Sequence, residues 1–370
     1  MQYWVWLGLL KGIGPVIQKR LLGYFEDAES VFRASKSELM KVSGVGNTLS
    51  ETIKSTSLEG AKRTLEKADK LNIKILTYND HLYNIKAKQC PYSPVILYYR
   101  GNLLPDSTGV GIVGARRCTD YGKEVVKEAA GYLANKKIPV ISGMARGIDG
   151  YAHTACLKAG GYTLAFFGNG VDICYPKEHS ELMENIIENG AVLSQFPPGT
   201  RPKPEYFPRR NSLMSAWCEK LLVVEAGKNS GSLITAQYMR EVEREVLAVP
   251  NQIYNQTGKG TNFLILKGAG IYLCPEQLLP DNEKEFPIMG KNIDSDEGKI
   301  SKIHNETKTP GRQLSEKEKK IIESISINPK TIEELSQLTE INQIELLEQL
   351  SVLELEGIIE ASAGGKFRAK

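Results

Sequence analysis

Residues 111–122 read GIVGARRCTDYG, and residues 141–153 read ISGMARGIDGYAH. Each stretch leaves an apolar run at a glycine, passes an arginine and enters a helical pattern. A strand that ends in a glycine turn and feeds a helix is the repeating unit of an α/β sheet. Outward from these two, the same texture continues. Apolar runs at 110–113, 139–141, 163–167, 191–194, 221–225 and 245–249 read as strands, and helical stretches such as 122–136 and 231–244 separate most of them. Near-continuous apolar strands imply burial on both faces, so a Rossmann-like, mostly parallel α/β core is expected over residues 79–279. In such a sheet the ligand crevice lies outside the carboxyl ends of the strands, which is where the Gly-rich polar segments of this chain fall.

Five of those segments carry candidate chemistry. After the first strand, Gly114 permits close approach, and Arg116 and Arg117 project towards the crevice as fork-shaped donors for phosphate. Gly109, Gly111 and Gly114 formally match a dinucleotide fingerprint. Val110, Ile112 and Val113 make the segment the strand itself, so no nicotinamide cofactor is expected. After the second strand, Gly143 and Gly147 shape a turn around Arg146, and Asp149 reads as a helix cap. Asp149 and His153 stand one helical turn apart, a spacing that suits acid–base work. A cap and a helix-face histidine account for it better.

The segment PPGTRPKPEYFPRRN (197–211) holds five prolines, the cations Arg201, Lys203, Arg209 and Arg210, and the rings Tyr206 and Phe207. Charge interleaved with aromatics is how a protein grips a single nucleic-acid strand, though such rings also pin loops to a core. EAGKNSGSLITA (225–236) offers Lys228, Ser230, Gly231 and Ser232 at a helix start, a seat for phosphate without the order of a nucleotide-hydrolysing loop. TGKGTNFLILKGA (257–269) adds Lys259 at the mouth and Thr261 or Asn262 as a cap. Few carboxylates form acid–base pairs, and no G-x-S-x-G elbow is present. The crevice therefore reads as one that holds phosphates without catalysis.

The remaining composition sets bounds. The chain has 370 residues, a net charge of +3, 41% hydrophobic and 25% charged residues, which predicts two or three domains and demands that any basic surface be local. Six scattered cysteines without a C-x-x-C pair argue against a metal site and a secreted disulfide framework. The apolar start MQYWVWLGLL lacks a basic leader and a cleavage site and is too short to span a bilayer, so a cytoplasmic location is expected. Residues 1–78 read as a helical domain with two apolar-Gly-x-Gly turns, LKGIG and VSGVG. These suit a helix-hairpin-helix phosphate contact and equally two tight turns in a small bundle. Residues 280–312 are polar and aperiodic, a linker. Beyond it, over 313–370, Ser315 with Glu318, Thr331 with Glu334 and Asn342 with Glu345 are spaced as capping boxes. Three helices followed by a Gly-Gly hairpin predict a winged helix.

Six segments in order, GIVGARRCTDYG, SGMARGIDGYAH, FGNGVDICYP, PPGTRPKPEYFPRRN, VVEAGKNSGSLITA and VPNQIYNQTGKGTN, resemble the signature segments of the DprA/Smf family of DNA-processing proteins. The resemblance covers about 80–275, and the flanking pieces agree with that family's architecture. It implies a mediator of natural transformation that is not an enzyme and needs no cofactor. Such a mediator binds and protects incoming single-stranded DNA, forms a homodimer through the Rossmann-like domain and loads RecA recombinase. By motif it implies DNA contacts for Arg116, Phe207, Arg210 and Asn211. Two departures, Ala115 where serine is common and Ser212 where arginine is common, each remove a possible phosphate donor. A rival class, Rossmann-like N-glycosidases of the lysine-decarboxylase-like type, uses a P-G-G-x-G-T turn with a following glutamate. Here GKNSGSLIT stands instead.

Overall fold

Nine strands make one sheet in the first of two units into which the chain divides, Met1–Phe286 and Pro287–Lys370. The computed structural model describes residues 1–279 and 315–369, apart from 327, 356–357 and 363–365. The strands are β1 Lys74–Thr77, β2 Ile96–Gly101, β3 Gly109–Val113, β4 Val140–Ser142, β5 Thr163–Phe166, β6 Gly190–Ser194, β7 Cys218–Val223, β8 Glu245–Ala248 and β9 Gly270–Ile271. Their order is β1-β2-β6-β5-β4-β3-β7-β8-β9. From β6 to β9 every pairing is parallel, with Val110 of β3 beside Val140 of β4 and Leu221 of β7 beside Gly111. The six strands expected from apolar runs are all present, shifted by one to three residues at their ends. Strands β1, β2 and β9 were not expected, and β1 extends the sheet into the region read as helical.

The chain runs outward from β3 through β4 and β5 to β6, then returns to the other side of β3 with β7, β8 and β9. The strand order therefore reverses between β3 and β7, which makes their carboxyl ends the switch point at which such sheets bind ligands. Helices α8 Asp120–Asn135 and α9 Ile148–Lys158 cover one face, packing Val126, Ala130, Ile148 and Ala152 on Val110, Ile112, Val140 and Leu222. Helices α11 Tyr206–Trp217 and α12 Gly231–Glu241 cover the other, where Leu213, Trp217 and Met239 meet Val113, Ile141, Phe166 and Val223.

The N-terminal helices α1 Gln2–Leu9, α2 Pro15–Phe25, α3 Ala28–Arg33, α4 Lys36–Leu39, α5 Asn47–Ser55 and α6 Glu59–Lys70 share one apolar cluster with the sheet. Trp6, Leu21, Val31 and Ile53 lie in it together with Ile96, Tyr98, Phe167 and Val192. The two expected glycine turns precede α2 and α5. Gly12 and Gly44 take positive φ there, 74° and 89°, and Arg20 of α2 donates to Ser43 O at 3.1 Å, tying the second turn to the first hairpin.

In the second unit, helices Glu316–Ile325, Ile332–Thr339 and Gln343–Leu355 precede strands Ile359–Ser362 and Lys366–Ala369, with Lys330–Thr331 as the third strand. The capping boxes at Ser315/Glu318 and Thr331/Glu334 are both made. At the third site Glu345 N donates to Asn342 Oδ1, while the Glu345 carboxylate meets the Asn342 side chain and Lys317. Leu346, Leu350 and Leu353 are buried as their helical spacing predicts. The 280–312 linker, Gly357 and the Gly-Gly turn lie outside the described residues.

His153, a helix-face residue of α9, is buried, and its Nδ1 stands 2.7 Å from Thr163 Oγ1. The Thr163 hydroxyl donates its one proton to Val140 O at 2.7 Å, so the ring is the donor, through Nδ1–H, to Thr163. Burial, with the charges of His179 and Arg210 adding to it, pushes its pKa down to about 3. In the unfolded chain a histidine titrates near pH 6.5, so between the two values only the unfolded state takes up the proton. Stability is therefore full above about pH 6.5 and falls as the pH drops towards the folded value, by up to about 1.4 kcal/mol per pH unit for this one group. Urea unfolding across that window should give a steeper loss for the wild type than for His153→Asn, which keeps the donor to Thr163 and cannot titrate. Identical pH slopes would contradict this assignment.

Candidate functional site

Five β–α connections, those after β3, β4, β5, β6 and β7, meet at the switch point and enclose a cleft of two lobes, about 560 and 390 Å³. Arg116, Ala145, Phe207 and Arg210 border both lobes. The larger lobe is lined by the cations Arg116, Arg117, Arg146, Lys177 and Arg210 and by a single carboxylate, Glu178. Tyr175 and Phe207 form its aromatic side, with ring centroids 5.7 Å apart. The smaller lobe lies against Gly114, Asp149 and Asn211 and the start of α12, where Asn229, Ser230, Gly231 and Ser232 stand.

Arg116 and Arg117 follow β3 and are exposed. No carboxylate of the described residues pairs with either. Their exposure is a product of close packing beneath them. Gly147 takes φ +74° as the N-cap of α9, and a Cβ there would stand 2.3 Å from Ala115 O. Ile148 N donates to that same carbonyl at 3.2 Å. A Cβ on Gly114 would meet Ile148 at 2.6 Å. The first two β–α turns are thus docked on each other through glycine, and the arginine side chains have no room except outward. Gly147 and not Asp149 caps α9; Asp149 is buried two residues further in, with Ala145 N at 3.4 Å from its Oδ2.

Arg210 differs from the other cations. It is 6% exposed, and its guanidinium donates to Gly143 O and to Phe166 O while Nε donates to Asn211 Oδ1 at 2.9 Å. It lies 5.6 Å beneath the Phe207 ring centroid. Burial draws its pKa below the usual guanidinium range, and the charge of Asp149 opposes that shift. Asp149 in turn is pushed up by burial and held down by Arg210 and by backbone N–H donors. Arg210 is the floor of the cleft, and Gly143 is glycine because that guanidinium fills the place of a Cβ.

The rings of the Pro-rich segment divide their roles. Residues 206–211 belong to the first turns of α11, where Pro208 is tolerated because its nitrogen needs no partner. Tyr206 stacks on Phe196 at 4.3 Å and pins the segment, while Phe207 is half-buried and faces both lobes. Ser230 caps α12 by accepting from Ser232 N, and Asn211 reaches Gly231 O at 3.3 Å.

Of the residues expected from sequence, the cleft gathers Gly114, Arg116, Arg117, Gly143, Arg146, Phe207, Arg210, Asn211, Ser230, Gly231 and Ser232. Gly147, Lys203, Arg209, Lys228, Lys259, Thr261 and Asn262 do not line it. Lys203, Arg209, Lys228 and Lys259 are exposed elsewhere, Lys203 with its ammonium over the Tyr206 ring. The helix Lys259–Leu266, α13, is capped by Gly258 and not by Thr261 or Asn262. Thr261 is buried and donates to Gly258 O, and both ends of the Asn262 amide bond the backbone of Asn251. Thr257 donates to Glu225, whose carboxylate also accepts from Thr119 N and Oγ1. That turn is a clamp on the end of β7. Tyr175, Lys177 and Glu178 were missed because FGNGVDICYP carries no cation or carboxylate beyond Asp172 and ends one residue before Lys177.

Residues 74–283 match the family model described as DNA recombination-mediator protein A, and residues 305–365 match that of the DprA winged helix domain. Protein Smf of Synechocystis sp. is 31% identical over 394 aligned residues, covering 100% of this chain and 98% of that protein. DNA processing protein DprA of Streptococcus pneumoniae is 38% identical over 192 residues, 52% of this chain and 68% of that one. The X-ray structure of DprA from Streptococcus pneumoniae superposes with a TM-score of 0.67 at 29% identity, over 77% of this chain and 99% of that chain. A structure of Helicobacter pylori DprA, described for its single-stranded DNA binding mode, superposes at 0.50 with 25% identity, over 55% and 93%. Matched in its sheet and in its C-terminal unit, and aligned along its whole length with a relative, the chain belongs to the DprA/Smf family of DNA-processing proteins.

Proposed function

We propose that this chain binds single-stranded DNA in the two-lobed cleft, without catalysis, and acts in the cytoplasm as a recombination mediator that protects incoming DNA and loads RecA during natural transformation. The observation that carries the proposal is the lining of the larger lobe, five cations against one carboxylate beside two aromatic rings. A chain of +3 overall concentrates charge at one rim, and cations beside stacking faces suit a flexible strand whose bases are free. In this reading Arg116, Arg117 and Arg146 take phosphates, Phe207 stacks a base, and the start of α12 seats a further phosphate. The Helicobacter pylori relative lends support from its own single-stranded DNA binding.

The non-catalytic reading is supported by how three buried titratable groups near the cleft are used. Asp149 serves Arg210 and Ala145, His153 serves Thr163, and Glu225 serves Thr119 and Thr257. None is left to move a proton on a substrate.

A homodimer through the Rossmann-like domain is supported by the β9 edge. Phe263, Leu266, Ile271 and Leu273 are exposed there, Leu266 at 80% and Leu273 at 76%, and such an apolar surface beside an edge strand favours self-association. The winged helix is read as no DNA reader, because 342–356 carries Glu345, Glu348, Glu354 and Glu356 and no lysine or arginine. Four carboxylates in a major groove would oppose the phosphates.

Three measurements test this reading. Arg116→Ala should weaken binding of a labelled oligothymidylate and of mixed sequences alike, and lower the slope of log K against log salt by about 0.7, the value of one single-strand phosphate contact. An unchanged slope would remove Arg116 from the phosphate set. Leu266→Arg with Leu273→Arg should shift the mass in light scattering from dimer to monomer; a wild-type chain that is already monomeric defeats the dimer. Deleting residues 313–370 should change single-strand affinity by no more than about fivefold, near 1 kcal/mol. A loss of two orders of magnitude would assign DNA contact to that unit.

A further inference from the structure

Glu178 is the one carboxylate in the larger lobe, and it is bound to one of the lobe's own cations, Arg146. Both side chains are open to solvent, at 49% and 65%. Surface pairs of this kind usually form and break freely. This one is built in by the backbone. Glu178 sits in the turn after Pro176, whose next residue, His179, donates from Nδ1 to Met144 O at 3.1 Å. The His179 ring also packs on α9 at Gly150, 3.0 Å from where a Cβ would stand. Met144 lies two residues before Arg146 in the turn after β4, and holds φ +55° with its side chain wholly buried. The turn that carries the acid is therefore fastened to the turn that carries the base, one residue from Glu178 and two from Arg146.

The other exposed cations of the lobe, Arg116, Arg117 and Lys177, form no ion pair among the described residues. Arg146 alone arrives with an anion in place. A carboxylate offers a guanidinium the same pair of oxygens that a phosphate does. We propose that Glu178 is a built-in phosphate mimic that occupies Arg146 in the empty cleft and makes it selective for a continuous polyphosphate strand over isolated phosphates. This rests on the reading of the cleft as a single-strand site. A mononucleotide entering the lobe meets the Glu178 charge and gains a contact or two. A strand that places successive phosphates on Arg116, Arg117 and Lys177 gains enough to displace the carboxylate and seat a further phosphate on Arg146. Glu178 sets the number of phosphates needed for entry.

Glu178→Gln keeps size and hydrogen bonding and removes the charge. Binding of an oligothymidylate should tighten by about two- to fivefold, the scale of an exposed ion pair. The salt slope should steepen by up to about 0.7, because the variant no longer recaptures a cation on Glu178 when phosphate takes Arg146. Thymidine monophosphate, a poor competitor against the wild type, should compete at correspondingly lower concentration. In an Arg146→Ala background the same Glu178→Gln change should not steepen the slope, and should leave only the small gain that removing a nearby negative charge gives either ligand. An unchanged or shallower slope with Glu178→Gln, or a steepening that persists without Arg146, overturns the proposal. Failure of the wild-type chain to bind the oligonucleotide at all overturns the reading of the cleft itself.

Discussion

A guanidinium removed from water organises the cleft. Arg210 reaches from α11 to the carbonyls of Gly143 after β4 and Phe166 at the end of β5, and faces the carboxylate of Asp149 on α9. A buried charge is tolerated only when its donors are met and a counter-charge is near. The ends of two strands and the starts of two helices must therefore keep their positions relative to one side chain. Phe207 lies over that same guanidinium, so the ring that faces both lobes is placed by the interaction that closes the floor. Of the rim cations, Arg146 has an ion pair with Glu178, while Arg116 and Arg117 have no carboxylate partner among the described residues and follow the packing of the turns beneath them.

The glycines of the switch point belong to the same economy of space. Sequence patterns of the form Gly-x-Arg invite the thought that glycine admits a ligand's phosphate. Here the volumes beside Gly114, Gly143 and Gly147 are filled by Ile148, by Arg210 and by the Ala115 and Arg116 carbonyls. The protein's own atoms make the close approach. What remains for a ligand is the outer layer, the arginine side chains and the start of α12.

This distinction explains how much was legible in the sequence. Strand-turn-helix units at 110–136 and 139–158 announce themselves because apolar runs, glycine breaks and helical periodicity are local properties of the chain. The capping boxes at Ser315 and Thr331 are local too. The antiparallel strands β1 and β2 escaped, since which runs join the sheet is decided by neighbours far away in sequence; Tyr98 and Tyr99 of β2 pair with β1 on one side and β6 on the other. Burial escaped for the same reason. Arg209 and Arg210 are adjacent and chemically identical, yet one is exposed and the other is the cleft floor. Nothing in RRN states which arginine the helix turns inward. Thr261 and Asn262 look like ligand-binding polar groups until the backbone of Asn251 and Gly258 takes their hydrogen bonds.

The N-terminal helices extend the argument from the floor of the cleft to its wall. Lys67 of α6 approaches Asp172 at 3.9 Å, and Asp172 accepts from Gly199 N at 2.8 Å. A Cβ on Gly199, whose φ is +85°, would stand 1.9 Å from the Lys67 ammonium. Gly170 N donates to Thr200 O across the same junction. The loop 197–205 is thus held at one end by a helix from the N-terminal layer and at the other by the stack of Tyr206 on Phe196. Its prolines restrict what lies between, so little backbone freedom remains to be lost when a ligand arrives. Phe207 begins where this restrained loop ends. The helical layer therefore bears on the cleft without lining it: it fixes the segment from which the aromatic side of the cleft is suspended.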